Sequence, residues 1–327
     1  MQRKIQGGLL TALVLLALAL FAMVPAKLIN EAPAPVINGD LDTWLAEKEK
    51  VANATEAIIP ETEKRIRWYQ DRKDTKTRYS IVYLHGFSAT RQEIAPVGAM
   101  AADALQANLF ETRLTGHGHL QHPLENMQAE DWLTDAAEAL TIGARIGEKV
   151  LVMGTSTGAT LALAMADHPS FEAVSSLILF SPNFATRDKN AEYLTWPGGP
   201  QLAYLVAGQT RSWTAQNELQ GRYWSTTYPM AAVIEMMRLV KYVRGKLPMR
   251  LEPSVLTIYS PADTVVDVDW IVRGFEQLDS PRKQLITIPG SEDQSNHVLA
   301  GDIMAPENNT LITGYITNFV LAGAVEK

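Results

Sequence analysis

The stretch that most constrains this chain runs from Val150 to Pro169, VLVMGTSTGATLALAMADHP. A short apolar run, Val150-Leu151-Val152-Met153, passes through Gly154-Thr155-Ser156-Thr157-Gly158 into a segment rich in Ala and Leu. The apolar run reads as a buried strand and the Ala/Leu segment as a helix. A Gly-x-Ser-x-Gly sequence between a strand and a helix forces a very tight turn. Side chains two residues either side of the serine would collide with their neighbours there, so glycine occupies both places. The turn lifts the Ser156 hydroxyl outward, and the helix aims its N-terminal amides at any negative charge forming beside it. Ser156 is therefore the candidate nucleophile. An ordinary Gly/Ser/Thr strand-to-helix turn shares the five-residue pattern, so the partners of the serine decide between the two.

Only two histidines follow Ser156. His168 ends the helix that starts at the serine, about 18 Å away at about 1.5 Å per residue, and cannot serve as its base. His297 remains, after the apolar run Gln284 to Ile288 and the loop Pro289 to Asn296. The orienting acid belongs just beyond a strand's C-terminal end, and Asp263 follows Ser254 to Tyr259 (SVLTIY) in that place. Asp267 and Asp269 are rivals assigned to the helix that follows. The order Ser156, Asp263, His297 is that of a nucleophile–acid–base triad carried on a parallel sheet.

Tyr79 to Leu84 (YSIVYL) is another buried strand, leading into His85-Gly86-Phe87-Ser88. Phe87 and Thr157 are the expected sources of two backbone N–H groups for an oxyanion, with Gly86 allowing close approach of the backbone. His85 itself reads as a structural histidine. Ala95 to Ala107 reads as a helix and Asn108-Leu109-Phe110 as the start of a strand leading to Gly116-His117-Gly118. His117, His119 and His122 lie close together, yet they have no helical i,i+4 register and no nearby carboxylate pair. A glycine-rich pocket wall is the reading, and no metal is expected. Asp131 to Ile146 reads as an amphipathic helix and Leu177 to Phe180 as a further strand. Thr186 to Pro253 then loses the strand–helix rhythm, is rich in Gly, Trp and Tyr, and carries one amphipathic helix, Met230 to Arg244. It reads as a lid over an apolar site, with Trp196, Trp213 and Trp224 as candidate substrate contacts. A packed helical subdomain without substrate contact is the alternative.

The formal charge of −7 argues against a nucleic-acid partner. The absence of cysteine excludes a disulfide framework, a thiolate metal site and a cysteine nucleophile. Gln2-Arg3-Lys4 precedes an uncharged run of 18 residues, Gly7 to Val24, which reads as an export signal or a membrane anchor that carries the rest across the inner membrane. Cleavage after Ala26 would release a periplasmic or secreted domain, and retention would tether it to the membrane. Residues 31 to 40, EAPAPVINGD, read as an extended linker, and Leu41 to Asp74 as a charged, partly helical extension docked through Trp44, Ile66, Trp68 and Tyr69. The expected divisions are 1–26 (signal or anchor), 27–75 (linker and extension), 76–185 (first half of the core), 186–253 (lid) and 254–327 (second half).

Together His85-Gly86-Phe87, Gly116-His117-Gly118, Gly154-Thr155-Ser156-Thr157-Gly158, the Asp263 turn and Ser295-Asn296-His297-Val298 resemble the α/β-hydrolase superfamily. The likeness covers about residues 76 to 325 and is nearest to bacterial carboxylesterases and monoacylglycerol-lipase-like enzymes. Thr157 departs from the Gly, Gln, Met or Leu of many relatives. The resemblance implies an α/β fold with a mostly parallel eight-stranded sheet, helices on both faces and an inserted helical lid. It implies acyl transfer from an ester, of medium-chain or monoacylglycerol type, through Ser156, Asp263 and His297, with no metal or organic cofactor. The same triad would serve an acyltransferase, a thioesterase or a cofactor-free haloperoxidase, and a membrane-tethered binding protein could keep the fold without the chemistry. Oligomeric state is not implied.

Overall fold

The computed structural model describes Val14 and residues 27–33 and 35–325. The basic residues 2–4, the rest of the apolar run and the cleavage point after Ala26 lie outside the described residues. Among those described, no helix is long and apolar enough to cross a membrane.

The core strands read as continuous apolar runs because both of their faces are buried. Val82, Leu84, Val150, Val152, Leu177 and Leu179 point into one apolar cluster, while Ile81, Tyr83, Leu151, Met153, Ile178 and Phe180 point into the other. Among the described residues the main sheet has seven strands. They are β1 (Arg65–Arg67), β2 (Thr77–Leu84), β3 (Asn108–Glu111), β4 (Gly147–Thr155), β5 (Val174–Phe180), β6 (Ser254–Tyr259) and β7 (Lys283–Thr287). Their order across the sheet is β1-β3-β2-β4-β5-β6-β7. All neighbours are parallel except β1, which runs antiparallel to β3 with Ile66 opposite Phe110.

The helices are α1 (Leu41–Glu56), α2 (Val97–Leu105), α3 (Ala129–Ile146), α4 (Thr157–Ala164), α5 (Gly199–Ala207), α6 (Glu218–Tyr223), α7 (Met230–Arg244), α8 (Val268–Glu276) and α9 (Asn309–Val325). Residues of α1, α3, α4 and α7 pack in the first cluster, and those of α2 and α9 in the second. The segment between β5 and β6 carries α5, α6 and α7, with a short antiparallel ribbon of 210–212 against 227–229.

One expectation needs correction. Among the described residues the sheet has seven strands, not eight. Among the described residues ahead of β2 only β1 joins the sheet, and Ile58 forms an isolated bridge with His119, just past Gly118. The described part of 27–40, which includes most of the extended segment 31–40, lies against the core. Leu28 is buried in the first cluster, Asn30 Nδ2 donates to the Ala164 carbonyl (3.0 Å), and the Ala32 carbonyl accepts from His168 Nε2 (2.6 Å). Arg145 holds the carbonyls of Ile37 and Gly39. His168 is thus occupied by the linker on the far side of α4.

The extension is pinned by charge as well as by Trp68, which is buried in the first cluster. Lys64 Nζ donates to Asp135 Oδ1 (3.0 Å) and Glu138 Oε1 (2.6 Å) on α3, and all three side chains are nearly buried. Removing one partner from such a cluster leaves uncompensated charge in a low-dielectric site. Lys64→Met is therefore expected to lower unfolding stability by about 3–5 kcal/mol, read from urea unfolding midpoints. A variant as stable as the wild type would show that the cluster is solvated in solution.

Candidate active site

β4 ends at Thr155 and α4 begins at Thr157, leaving Ser156 to make the whole turn. It does so at φ +53° and ψ −114°, a conformation L-residues rarely adopt, and its N–H donates to the Phe180 carbonyl (2.8 Å). Both flanking glycines are required by contact. A Cβ on Gly158 would stand 2.1 Å from the Leu84 carbonyl oxygen, and one on Gly154 would stand 2.7 Å from the Ala159 nitrogen. The strain holds the Ser156 side chain in a cavity of about 420 Å³ at the C-terminal ends of the strands.

His297 lines the same cavity, and its Nδ1 lies 2.7 Å from Asp263 Oδ2. Asp263 is fully buried. Its Oδ1 accepts from the N–H groups of Val265 (2.8 Å) and Val266 (3.0 Å), leaving Oδ2 for the imidazole. Burial opposes a charge on His297, but the Asp263 carboxylate outweighs it and raises the imidazole pKa above its ordinary 6.5. The rival acids lie elsewhere. Asp267 caps α8 through Asp269 N–H (3.0 Å) and pairs with Lys189, while Asp269 is exposed. The structure thus brings Ser156 and His297 to one cavity with Asp263 behind the histidine.

Phe87 also lines the cavity, and Thr157 is the first residue of α4. Neither backbone N–H has an acceptor among the described residues. The loop that presents Phe87 is fixed on three sides. Glu93 Oε2 accepts from Gly86 N–H (2.8 Å) and from the Tyr83 hydroxyl (2.7 Å). His85 Nε2 accepts from Leu114 N–H (3.0 Å), and His117 Nε2 accepts from Ser88 N–H (3.1 Å). Each ring therefore carries its proton on Nδ1, donated to the Gly86 and Thr115 carbonyls respectively. Burial drives the His85 pKa down to about 4 and that of His117 well below its ordinary value, so both rings are neutral. His119 bridges Ile58, and His122 pairs with Glu125 on the surface (3.1 Å). Among the described residues no group of His, Asp or Glu is arranged to hold a metal.

Two of the three tryptophans named in the segment between β5 and β6 reach the cavity. Trp213 and Trp224 line it with Phe87, Tyr228, Met236 and Val265, whereas Trp196 does not. Trp196 is 55% exposed and packs edge-on against Tyr193, so it is withdrawn as a substrate contact. The residues just after Trp224 are tied to the Phe87 loop, with Ser225 N–H donating to the Ser88 carbonyl (2.7 Å).

Sequence reasoning missed several polar supports: Glu93 beneath the Phe87 loop, Asp293 and Gln216 beside His297, and Ser181, whose Oγ donates to the His297 carbonyl (2.9 Å). Only Asp293 left a signal. An Asp two residues before Ser295 and four before His297 has the spacing of an Asx turn.

Residues 81–302 match the alpha/beta hydrolase family. The chain belongs to that family. A thermostable monoacylglycerol lipase from Bacillus sp. (strain H-257) is 23% identical over 211 residues, 64% of this chain and 81% of that protein. A solved structure from the metagenome-derived lipolytic enzymes LipS and LipT has a TM-score of 0.65 at 18% identity, covering 81% of this chain and 99% of its own. A soluble variant of monoglyceride lipase from Saccharomyces cerevisiae has a TM-score of 0.59 at 12% identity, covering 79% and 90%. At these identities the solved structures establish a shared fold.

The neutral histidines give this hydrolase a sign-specific acid sensitivity. An unfolded chain protonates His85 below about pH 6.5, but the folded protein resists protonation until about pH 4. Between those values the unfolded state holds more protons, so stability falls as pH falls. Replacing His85 by Gln keeps an acceptor near the Leu114 N–H and removes this titration. Thermal melting from pH 7 to 4.5 should then fall less steeply for His85→Gln than for the wild type. Parallel curves would mean that His85 is not held neutral.

Proposed function

We propose that this alpha/beta hydrolase cleaves carboxylic esters through an acyl-serine intermediate. The observation that carries the reading is the 2.7 Å contact of His297 Nδ1 with buried Asp263, in a cavity that also holds strained Ser156. With Nδ1–H committed to Asp263, His297 Nε2 is left as the base. It takes the Ser156 proton as Oγ adds to the ester carbonyl carbon, and the carbonyl oxygen becomes an oxyanion. Phe87 and Thr157 N–H groups receive that oxyanion, each stabilising it by on the order of 3 kcal/mol. As the tetrahedral species collapses, the imidazolium gives its proton to the leaving alcohol. Water, deprotonated by His297, then releases the acid and restores Ser156.

The apolar walls around Phe87, Trp213, Trp224 and Met236 suit an acyl chain, and the relatives above are named as lipases. Medium-chain or monoacylglycerol-type esters are the substrates this supports. The basic N-terminal residues and the apolar run after them support export and association with a membrane through that segment.

Hydrolysis of p-nitrophenyl esters from acetate to palmitate tests the reading. Ser156→Ala should lower turnover by on the order of 10⁴-fold or more, and a variant that keeps full turnover would refute it. The pH dependence of kcat/KM supplies an independent check. Activity requires neutral His297, so it should rise with pH through a midpoint above 6.5. Asp263→Asn should lower that midpoint and cut the rate by on the order of 10⁴-fold. An acid limb below pH 6 in the wild type would contradict the charge arrangement.

A further inference from the structure

We infer that Asp293 is a positioning residue for His297 and that Gln216 ties this support to the segment covering the cavity. The inference rests on the serine-hydrolase reading above. Asp293 is 1% exposed, and five donors converge on its carboxylate. Four belong to the loop that carries His297. Ser295 N–H reaches Oδ1 (3.0 Å), while Ser295 Oγ (2.5 Å), His297 N–H (2.9 Å) and Val298 N–H (2.9 Å) reach Oδ2. The loop is wound around one buried charge. The His297 carbonyl is held as well, by Ser181 Oγ (2.9 Å), so the backbone of the histidine is gripped at both ends. Asp263 sets the direction of the ring, and Asp293 sets where the ring starts from.

The fifth donor comes from outside the loop. Gln216 Nε2 donates to Asp293 Oδ1 (2.7 Å), and Gln216 Oε1 accepts from Gln294 N–H (3.0 Å). One amide thus satisfies a carboxylate and the adjacent backbone together. Gln216 is itself anchored in the covering segment, its N–H donating to Gln220 Oε1 on α6 (2.6 Å). Asn217 caps α6 at Gln220 N–H (2.8 Å) and reaches the Ile303 carbonyl (3.0 Å). Any displacement of residues 216–220 from the cavity must therefore break both contacts at the His297 loop. A buried carboxylate that loses a donor is left under-solvated, and the loop around it must rearrange. Misplacement of a catalytic group by about 1 Å costs on the order of 100-fold in rate.

The test uses the full chain, with Gln216→Leu and Asp293→Asn compared with the wild type. Kinetics are measured on a soluble p-nitrophenyl ester, together with the rate of labelling by a fluorophosphonate and the melting midpoint. Leucine fills the volume of Gln216 without its hydrogen bonds. Asparagine at 293 turns an NH₂ group toward donors on one side. Gln216→Leu should lower kcat about tenfold and Asp293→Asn about 100-fold, with KM within about twofold of wild type. Labelling should slow in the same ratio, because it reads the Ser156–His297 pair without reading substrate fit. The melting midpoint of Gln216→Leu should stay near that of the wild type.

A Gln216→Leu protein that labels at the wild-type rate overturns the inference, whether KM rises, as for a residue that merely touches substrate, or stays put. A folded Asp293→Asn protein with wild-type labelling overturns it equally. If Asp293→Asn does not fold, Gln216→Leu decides alone. Labelling of the wild type at Ser156 verifies the hydrolase reading separately, so a loss confined to the variants belongs to the His297 loop.

Discussion

The approach of α4 to the end of β2 is the constraint on which the rest of the structure depends. At Gly158 the two elements come so close that a single methyl group would strike the Leu84 carbonyl. That approach compels the left-handed turn at Ser156, starts α4 directly behind the hydroxyl, and brings the Phe87 loop to the same point. The exposed placement of the Ser156 hydroxyl and of the Phe87 and Thr157 N–H groups thus follows from one packing contact. The cost of the strained residue is carried by the buried sheet on either side, where strands β2, β4 and β5 interlock two apolar clusters.

Around this turn the protein uses imidazoles in two electrostatic states. His85 and His117 are sealed from water and neutral, and each accepts a backbone N–H through Nε2. Their work is to lock loops, and a proton on Nε2 would destroy it. His297 is also buried, but it faces a carboxylate whose other oxygen is held by the N–H groups of Val265 and Val266. There a positive charge is welcome. The difference lies in the partner and not in the depth of burial.

The insertion between β5 and β6 has two characters. Residues 213–225 are bound to the Phe87 loop at Ser88, to the His297 loop at Asp293 and Gln294, and to Ile303. By contrast α5 exposes Leu202, Leu205 and Val206, and nearby Trp196 is half in solvent. The part that walls the cavity is the part held by polar contacts, so the site includes a piece of the insertion as a fixed element. The N-terminal extension is equally integral, through Lys64 and Trp68 and through the edge strand β1.

Much of this was legible in the chain because the local signals were strong. Strands buried on both faces give unbroken apolar runs, Gly-Thr-Ser-Thr-Gly between a strand and a helix calls for a tight turn, and the exclusion of His168 by distance left His297 alone. The helix Met230–Arg244 was readable from its period. The supports were not readable, because Glu93 and Asp293 act on backbone N–H groups, which every residue possesses and no sequence marks. Trp196 could not be told from Trp213 or Trp224, since an aromatic in an aperiodic segment faces the cavity only if packing turns it there. Nor could a three-residue edge strand be distinguished from loop. The sequence by itself determined the fold class and the tight turn at Ser156, because those follow from unbroken apolar runs and from steric limits within a few residues. Tertiary structure decided which side chains hold the loops, which tryptophans wall the cavity and how the sheet ends, because those depend on contacts between residues far apart in the chain.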